Sequence, residues 1–443
     1  MRTRPGPFII LLCLVLFSFP AKGIEDPAAE IEALKARITD LEEQNRQILT
    51  LLKELTGKEA VPTTPAPAAP ETPAVAAAEA PIPHKVQVGK SQLSFYGFVR
   101  VDAIYDDSRP NNIQSPSFIQ AESPATENED SFNFHPRLTR FGMNYAGPKI
   151  GGTGPKLSGK IELDFQNGGR ESRQVPRMRH GYMNLQWQDS SLLIGQTWDL
   201  ISPLYPTVNS DTLMWNAGNL GDRRPQIRYG KTHETAHGEL SFQGGIGLTG
   251  AINSQDLDND GVRDGDDAVL PNLQTRLGYS SDRWSVGISG HYGQEEVQTP
   301  VAGQDQFDSY SASLDYRVAL SSRLTLQGEL WTGSNLSDFR GGAGQGINLS
   351  TGREIDSTGG WVELGLKVSD RYSIYGGVTV DDPDDDDLNP GNIRKNGSAY
   401  LVNRWSFGKE FLVGLDYLRW KTEFLGLRDG TDNRLNLYFV YNF

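Results

Sequence analysis

The fold this sequence predicts is all-β: a transmembrane barrel of about sixteen antiparallel strands, preceded by a short helical coiled coil and a Pro/Ala linker. Three observations predict the barrel. Beyond Val86, polar and apolar residues alternate in segments of roughly 8 to 14 residues. The links between these segments alternate short and long. The chain ends on an alternating apolar stretch, "NRLNLYFVYNF", closed by Phe443. A soluble β-sandwich has no reason to sort its loop lengths, whereas a barrel crossing a membrane has short turns at one rim and longer loops at the other.

Residues 1–23 read as a secretory signal. Arg2 and Arg4 give a positive start, "FIILLCLVLFSF" (8–19) an apolar core, and "AKG" (21–23) a small-x-small cleavage site. The apolar stretch is short for a spanning helix, and an uncleaved anchor is the alternative. The single cysteine, Cys13, lies within this signal and lacks the small residues that precede a lipidated cysteine. A mature chain therefore carries no disulfide, thiolate metal site or thiol nucleophile. The net charge of −14 argues against nucleic acid as a partner, because neutralising phosphates needs a basic face.

Residues 24–56 keep a heptad period. Ile24, Ile31, Ile38, Asn45 and Leu52 share one column, and Leu34, Leu41, Ile48 and Leu55 the other. This predicts a coiled coil with one polar core residue; a single amphipathic helix packed on the main domain is the alternative. Ile in one column and Leu in the other favours two strands. Residues 57–88 are a Pro/Ala-rich spacer, extended and semi-rigid, with a reach on the order of 75 Å at PPII rise.

Residues 89–443 form the barrel. Strands are predicted near 92–105, 132–146, 157–166, 177–188, 191–199, 225–231, 238–251, 271–280, 283–294, 307–319, 322–334, 357–369, 371–381, 396–408, 410–423 and 433–443. Tight links fall at 188–191, 280–283, 320–323, 369–371 and 408–410. Long polar ones fall at 106–131, 167–176, 200–224, 252–270, 295–306, 335–356, 382–395 and 424–432, with a middling link at 147–156. In "KIELDF", Ile161, Leu163 and Phe165 face lipid while Lys160, Glu162 and Asp164 face a wet interior. Trp187, Trp284 and Tyr372 beside short turns make an interfacial girdle. Leu435, Leu437, Phe439, Tyr441 and Phe443 form the lipid face of the closing strand. A barrel of this size encloses an aqueous lumen, so the predicted activity is that of a pore.

The stretches "YGFVRVDAIYD" (96–106), "FNFHPRLTRFGMNY" (132–145) and "IGQTWDL" (194–200), within the plan of signal, coiled coil, spacer and barrel ending in Phe, resemble the DcaP family of trimeric outer-membrane porins. The resemblance implies a homotrimer in the Gram-negative outer membrane, among its lipid and lipopolysaccharide, with the coiled coil in the periplasm. It implies passive uptake of small, preferably anionic, organic solutes. The trimer takes precedence over the dimer that the heptads favour. The terminal Phe443 resembles the signal read by the outer-membrane assembly machinery.

Strand parity turns Arg100, Arg140, Arg228, Arg276, Arg317 and Arg404 inward. Guanidinium groups stay charged and hold carboxylates bidentately, so an Arg-lined constriction would favour anions. The opposing reading is local balance by Asp102, Glu162, Asp164, Asp315, Glu329 and Glu363, which also point inward. The link 200–224 carries Met214 and Trp215, unlikely choices for an exposed tip, and ends in Arg223 and Arg224. It either folds into the pore or packs on a neighbouring protomer.

"DLDNDGVRDGDD" (256–267) has the spacing of a twelve-residue calcium loop, with flanking strands in place of helices and Asp at its last position. Asp256, Asp258, Asp260, Asp264 and Asp267 would offer side chains and Val262 its carbonyl. A solvated acidic tip is the alternative. No cofactor is required by the pore reading; Ca2+ is the one ion the sequence suggests. An outer-membrane enzyme is disfavoured because the scattered His residues sit in no nucleophile motif. A structural tether, with the coiled coil touching peptidoglycan, is the remaining alternative function.

Overall fold

The computed structural model describes residues 84–124, 129–167, 172–208 and 210–443. The expected signal, the coiled coil and the spacer up to residue 83 lie outside the described residues.

The first half of the barrel contains β1 (His84–Val88), β2 (Ser91–Asp106), β3 (Ser131–His135), β4 (Arg140–Lys149), β5 (Lys156–Asp164), β6 (Arg177–Gln186), β7 (Ser190–Trp198), β8 (Arg223–Thr235), β9 (Gly238–Gly247) and β10 (Asn272–Ser280). The second half contains β11 (Trp284–Val301), β12 (Gln304–Ala319), β13 (Leu324–Ser334), the short pair β14 (Ile347–Asn348) and β15 (Arg353–Glu354), β16 (Asp356–Lys367), β17 (Tyr372–Pro383), β18 (Ile393–Phe407), β19 (Phe411–Phe424) and β20 (Gly430–Asn442). One helical turn, α1 (Asp264–Asp267), lies between β9 and β10.

Neighbouring strands pair antiparallel, and β20 returns to β2, with Val101 opposite Phe439, so the sheet closes on itself. Closure leaves no edge of unpaired backbone groups, which is the condition for a sheet to sit in hydrocarbon. Strands β3 and β4 share one wall position. Pro136, which has no N–H to give, interrupts them, and the Thr139 hydroxyl takes over from the ladder, accepting from Arg100 N (3.1 Å) and donating to Arg100 O (3.2 Å). With β3 and β4 joined, and β1 merely folded back on the start of β2, sixteen strands form the wall.

Three boundaries differ from the sequence reading. Residues 84–88, assigned there to the spacer, pair with β2. The expected long link at 295–306 is mostly strand: β11 and β12 continue past the barrel and turn at Ala302 and Gly303, both at positive φ. The link before β9 shrinks to two residues because β8 runs on to Thr235.

The two faces differ as parity requires. Phe95, Val99, Phe141, Ile161, Phe242, Ile288, Leu330, Leu401 and Phe439 are exposed on the outside, while Asp102, Glu162, Asp315 and Glu329 are buried on the inside. Apolar exposure on this scale suits lipid and not water. Ring pairs sit beside the short turns, Tyr279 with Trp284 at 5.1 Å and Tyr372 with Trp405 at 5.4 Å. Phe443 extends β20 by one residue. It exchanges backbone bonds with Gly97 at 3.0 and 3.1 Å, and its ring lies 5.8 Å from that of Phe141.

Candidate pore constriction

The connection 199–222, between β7 and β8, folds into the barrel. Its apolar residues are buried against the inner wall and two other connections: Val208, Met214 and Ala217 join wall residues Tyr400, Val402, Leu418 and Trp420 and Ile119 of the β2–β3 connection, while Ile201 and Leu220 join Trp331 of the wall and Leu336 and Phe339 of the segment after β13. Met214 and Trp215, singled out from sequence, are buried inside the chain's own barrel.

Wall residues receive the loop through defined bonds. Leu204 N donates to Glu329 Oε1 (2.6 Å), and Thr207 N to Glu363 Oε2 (2.7 Å). The Thr207 hydroxyl also donates to Glu363, and Arg404 donates to Thr207 O (2.8 Å). Trp331 Nε1 donates to Gly218 O (2.9 Å). At Gly218 (φ +114) an added Cβ would meet Gly360 O and Val380 N, both at 2.6 Å, so only glycine permits this approach. The segment 335–346 backs the loop, Gly221 N donating to Phe339 O (2.7 Å) and Asn216 N to Arg340 O (2.8 Å).

The opposite wall, β4 to β8, is basic. Arg179 bridges Glu162 (2.7 Å) and Asp164 (2.9 Å), Arg177 pairs with Asp164 (2.8 Å), and Arg140 approaches Glu162 at 3.5 Å. Arg223 bonds Asp222 (3.1 Å) and stacks over Trp198 at 4.3 Å. The ring of Tyr205 in the loop also packs on Trp198, centroids 4.6 Å apart. Arg228 donates to the neutral acceptors Trp198 O and Gln226 Oε1. In this cluster Arg140, Arg177, Arg179, Arg223 and Arg228 outnumber Glu162, Asp164 and Asp222. Arg140 Nε and Arg223 Nη1 have no hydrogen-bond partner among the described residues.

Two loop carboxyls respond differently to burial. Burial alone would raise the Asp222 carboxyl, but Arg223 and Arg340 hold it below the usual carboxylate range. At Asp211, burial and then the Asp102 charge push the carboxyl up to about 6.

The remaining sequence-predicted residues lie outside this cluster. Arg100 is turned onto Asp102 (2.6 Å), and Arg276 onto Asp315 (2.7 Å). Arg404 is buried between Tyr438 and the loop. Arg224 is fully buried, bound by Asp199 (2.6 Å) and Asp338 (2.7 Å); it is a clamp between loops and does not line the pore. Arg317 faces inward near a short turn and is exposed. Of the carboxylates set against these arginines, Glu329 and Glu363 turn their oxygens to the loop instead.

Sequence reasoning missed Arg177, Arg179 and Trp198. A β-bulge opposite Glu162 and Leu163 places Arg179 and His180 side by side on the inner face, which a strict count by twos cannot show. The repeated arginine in "RMRH" is the signal that was available.

The acidic loop 256–267 lies beyond the barrel rim, where Asp256, Asp258 and Asp260 bring carboxylate oxygens within 4.8 Å of one another. The sequence reading places strands on both flanks; α1 instead occupies the last four positions of the motif.

No protein-family model matches the chain, and no curated protein does. Its structure is similar to solved ones. The outer-membrane channel DcaP of Acinetobacter baumannii superposes with a TM-score of 0.66 at 18% identity, over 81% of this chain and 99% of that one. An anion-selective porin from Comamonas acidovorans gives 0.52 at 14% identity, over 80% and 100%. The trimer form of OmpT from Vibrio cholerae, an outer-membrane protein, gives 0.51 at 12% identity, over 80% and 99%. The shared property is the fold.

Proposed function

We propose that this chain, which has the fold of the DcaP channel and of Gram-negative porins, is a trimeric outer-membrane porin for small hydrophilic anions. The observation that carries the reading is the inward loop 199–222 facing a wall where guanidinium groups outnumber carboxylates. A charged ring of one sign at a narrow point sets selectivity, because the ion exchanges part of its hydration for those charges. Uptake is passive diffusion, and carboxylates are the favoured solutes because Arg presents paired donors to them.

The apolar outer face supports a lipid setting, with lipopolysaccharide at the long-loop rim. The trimer form of the Vibrio protein supports three copies. Docking of Phe443 beside Gly97 supports its reading by the assembly machinery, since the last residue completes closure. Contact of the coiled coil with peptidoglycan is an added tethering role.

Reversal potentials of the purified protein in a planar bilayer under a salt gradient test the reading. Anion selectivity is expected, reduced in Arg179→Gln and Arg223→Gln. Cation selectivity of the unaltered protein would refute it, and a barrel that passes no current would favour the tether.

A further inference from the structure

We propose that the segment 256–267 is a calcium site that ties the external loops of the barrel together. Asp256, Asp258, Asp260, Asp264 and Asp267 supply carboxylate oxygens, and Val262 its carbonyl. Oxygens of the first three lie within 4.8 Å of one another, a spacing that fits ligands around one ion held at about 2.3–2.6 Å. Asn259 (φ 60) and Gly261 (φ 91) bend the backbone so that alternate side chains converge.

A separate observation points to a cation. Asp264 is 0% exposed. Its Oδ1 accepts from Leu257 N (3.0 Å) and the Gln255 side chain bonds the carboxyl, but its Oδ2 has no hydrogen-bond partner among the described residues, and the acidic charges it faces are Asp256, Asp258 and Glu295. Asp256 Oδ1 and Asp267 Oδ2 are likewise buried and have no hydrogen-bond partner among the described residues. A buried carboxylate oxygen left without a partner is costly, and several facing one another are more so. The basic residue within the motif does not relieve this. Arg263 is turned away onto Asp266, with both contacts at 2.9 Å, and Asp266 is the acid the motif does not use as a ligand. A divalent cation at the convergence point supplies what the protein lacks.

The site is placed to act on neighbouring loops. Asp258 Oδ2 accepts from Thr299 N (2.8 Å) in the projecting β11–β12 hairpin. Gly250 N (2.9 Å) and Ile252 N (2.8 Å), on the same connection, donate to Asp338, which also holds Arg224 beside the inward loop. An ion bound at 256–267 therefore braces the connection between β9 and β10 against both the hairpin and the segment that backs the constriction.

The test is calorimetric titration of CaCl2, with MgCl2 in parallel, into the full chain refolded in detergent, free of lipopolysaccharide and stripped with chelator. One saturable calcium site is expected, with Kd of roughly 0.1–1 mM as in extracellular loops of this type. Asp260→Asn and Asp264→Asn should each weaken it at least about tenfold, as loss of one charged ligand does. Asp260 is exposed, so its variant tests the site even where Asp264→Asn fails to fold. Calcium should also slow protease cleavage between Gly247 and Asn272. Absence of saturable binding up to about 10 mM, ten times the weakest Kd of such loops, would overturn the proposal. So would unchanged affinity in Asp260→Asn, or magnesium binding as tight as calcium.

Discussion

Truncation of Glu363 to Ala should release the inward loop from the wall. The carboxylate accepts from Thr207 N, the Thr207 hydroxyl and the Tyr400 hydroxyl (3.0 Å), and all three donors are buried. Hydrogen bonds to a charged acceptor contribute about 1.5–3 kcal/mol each, so the two from Thr207, which join the loop to the wall, amount to roughly 3–6 kcal/mol, the Tyr400 bond lying within the wall. Lumen water reaching the vacated space restores some of this, because bridging waters are nearly as good as direct bonds. A net local cost of about 2–4 kcal/mol remains, which lowers the docked-to-undocked ratio roughly 30- to 1000-fold. The other anchors, Leu204 on Glu329 and Gly218 under Trp331, confine the release to the part of the loop around Thr207.

Single-channel recording in planar bilayers is the assay. Glu363→Ala should raise open-channel noise and spread conductance upward, while Glu363→Gln, which keeps one acceptor oxygen, should lie between it and the unaltered protein. Folding is monitored separately through the strand signal in far-UV circular dichroism. A folded Glu363→Ala protein with unaltered conductance and noise would refute the reasoning that this carboxylate docks the loop.

Gly218→Ala should disturb the same loop from its other side, because the new methyl meets the backbone of Gly360 and Val380 at 2.6 Å with nothing flexible to yield; overpacking of this kind costs about 1–3 kcal/mol, read as the same rise in channel noise. Deleting Phe443 removes two backbone bonds to Gly97 and the ring contact with Phe141, so the yield of folded, heat-resistant oligomer on gels should fall several-fold, and an unchanged yield would count against its assembly role. Asp211 binds its proton more tightly when buried in the docked loop, up to about 6 against an ordinary 3.8. Docking should therefore be strongest below about pH 4 and weaken as pH rises through about 6, so noise should be greater at pH 7.5 than at pH 5. Asp211→Asn should flatten that dependence, and the opposite slope would exclude Asp211 as its source.

What was legible in the sequence is what depends on period and spacing. Period-two alternation marks the strands because lipid and lumen demand opposite surfaces at successive residues. Alternating link lengths marked the two rims, and Met214 with Trp215 marked the link that turns inward, since neither suits a tip in water. The errors arise where a strand departs from regularity. Pro136 divides one expected strand, and the projecting β11–β12 hairpin has only Val297 and Val301 as large apolar residues between 295 and 306, on one face, so 295–306 reads as loop.

Charge was harder to read than direction. Parity says that Arg276 and Asp315 both point inward, but only register shows them bonded at 2.7 Å across strands. It also counts Glu329 and Glu363 as lumen charges opposing the arginines, yet register and the inward loop turn them into acceptors for Leu204 and Thr207. On the facing wall the bulge at Arg179 adds a guanidinium that parity omits. Both departures act in the same direction: they remove open carboxylates from one side of the constriction and add a cation to the other. The electrostatics of the pore thus follow from which inward charges the loop occupies, and reversal potential should respond more to Arg179 and Arg223, which belong to a cluster with more guanidinium groups than carboxylates, than to Arg100 or Arg276, each paired with its own carboxylate.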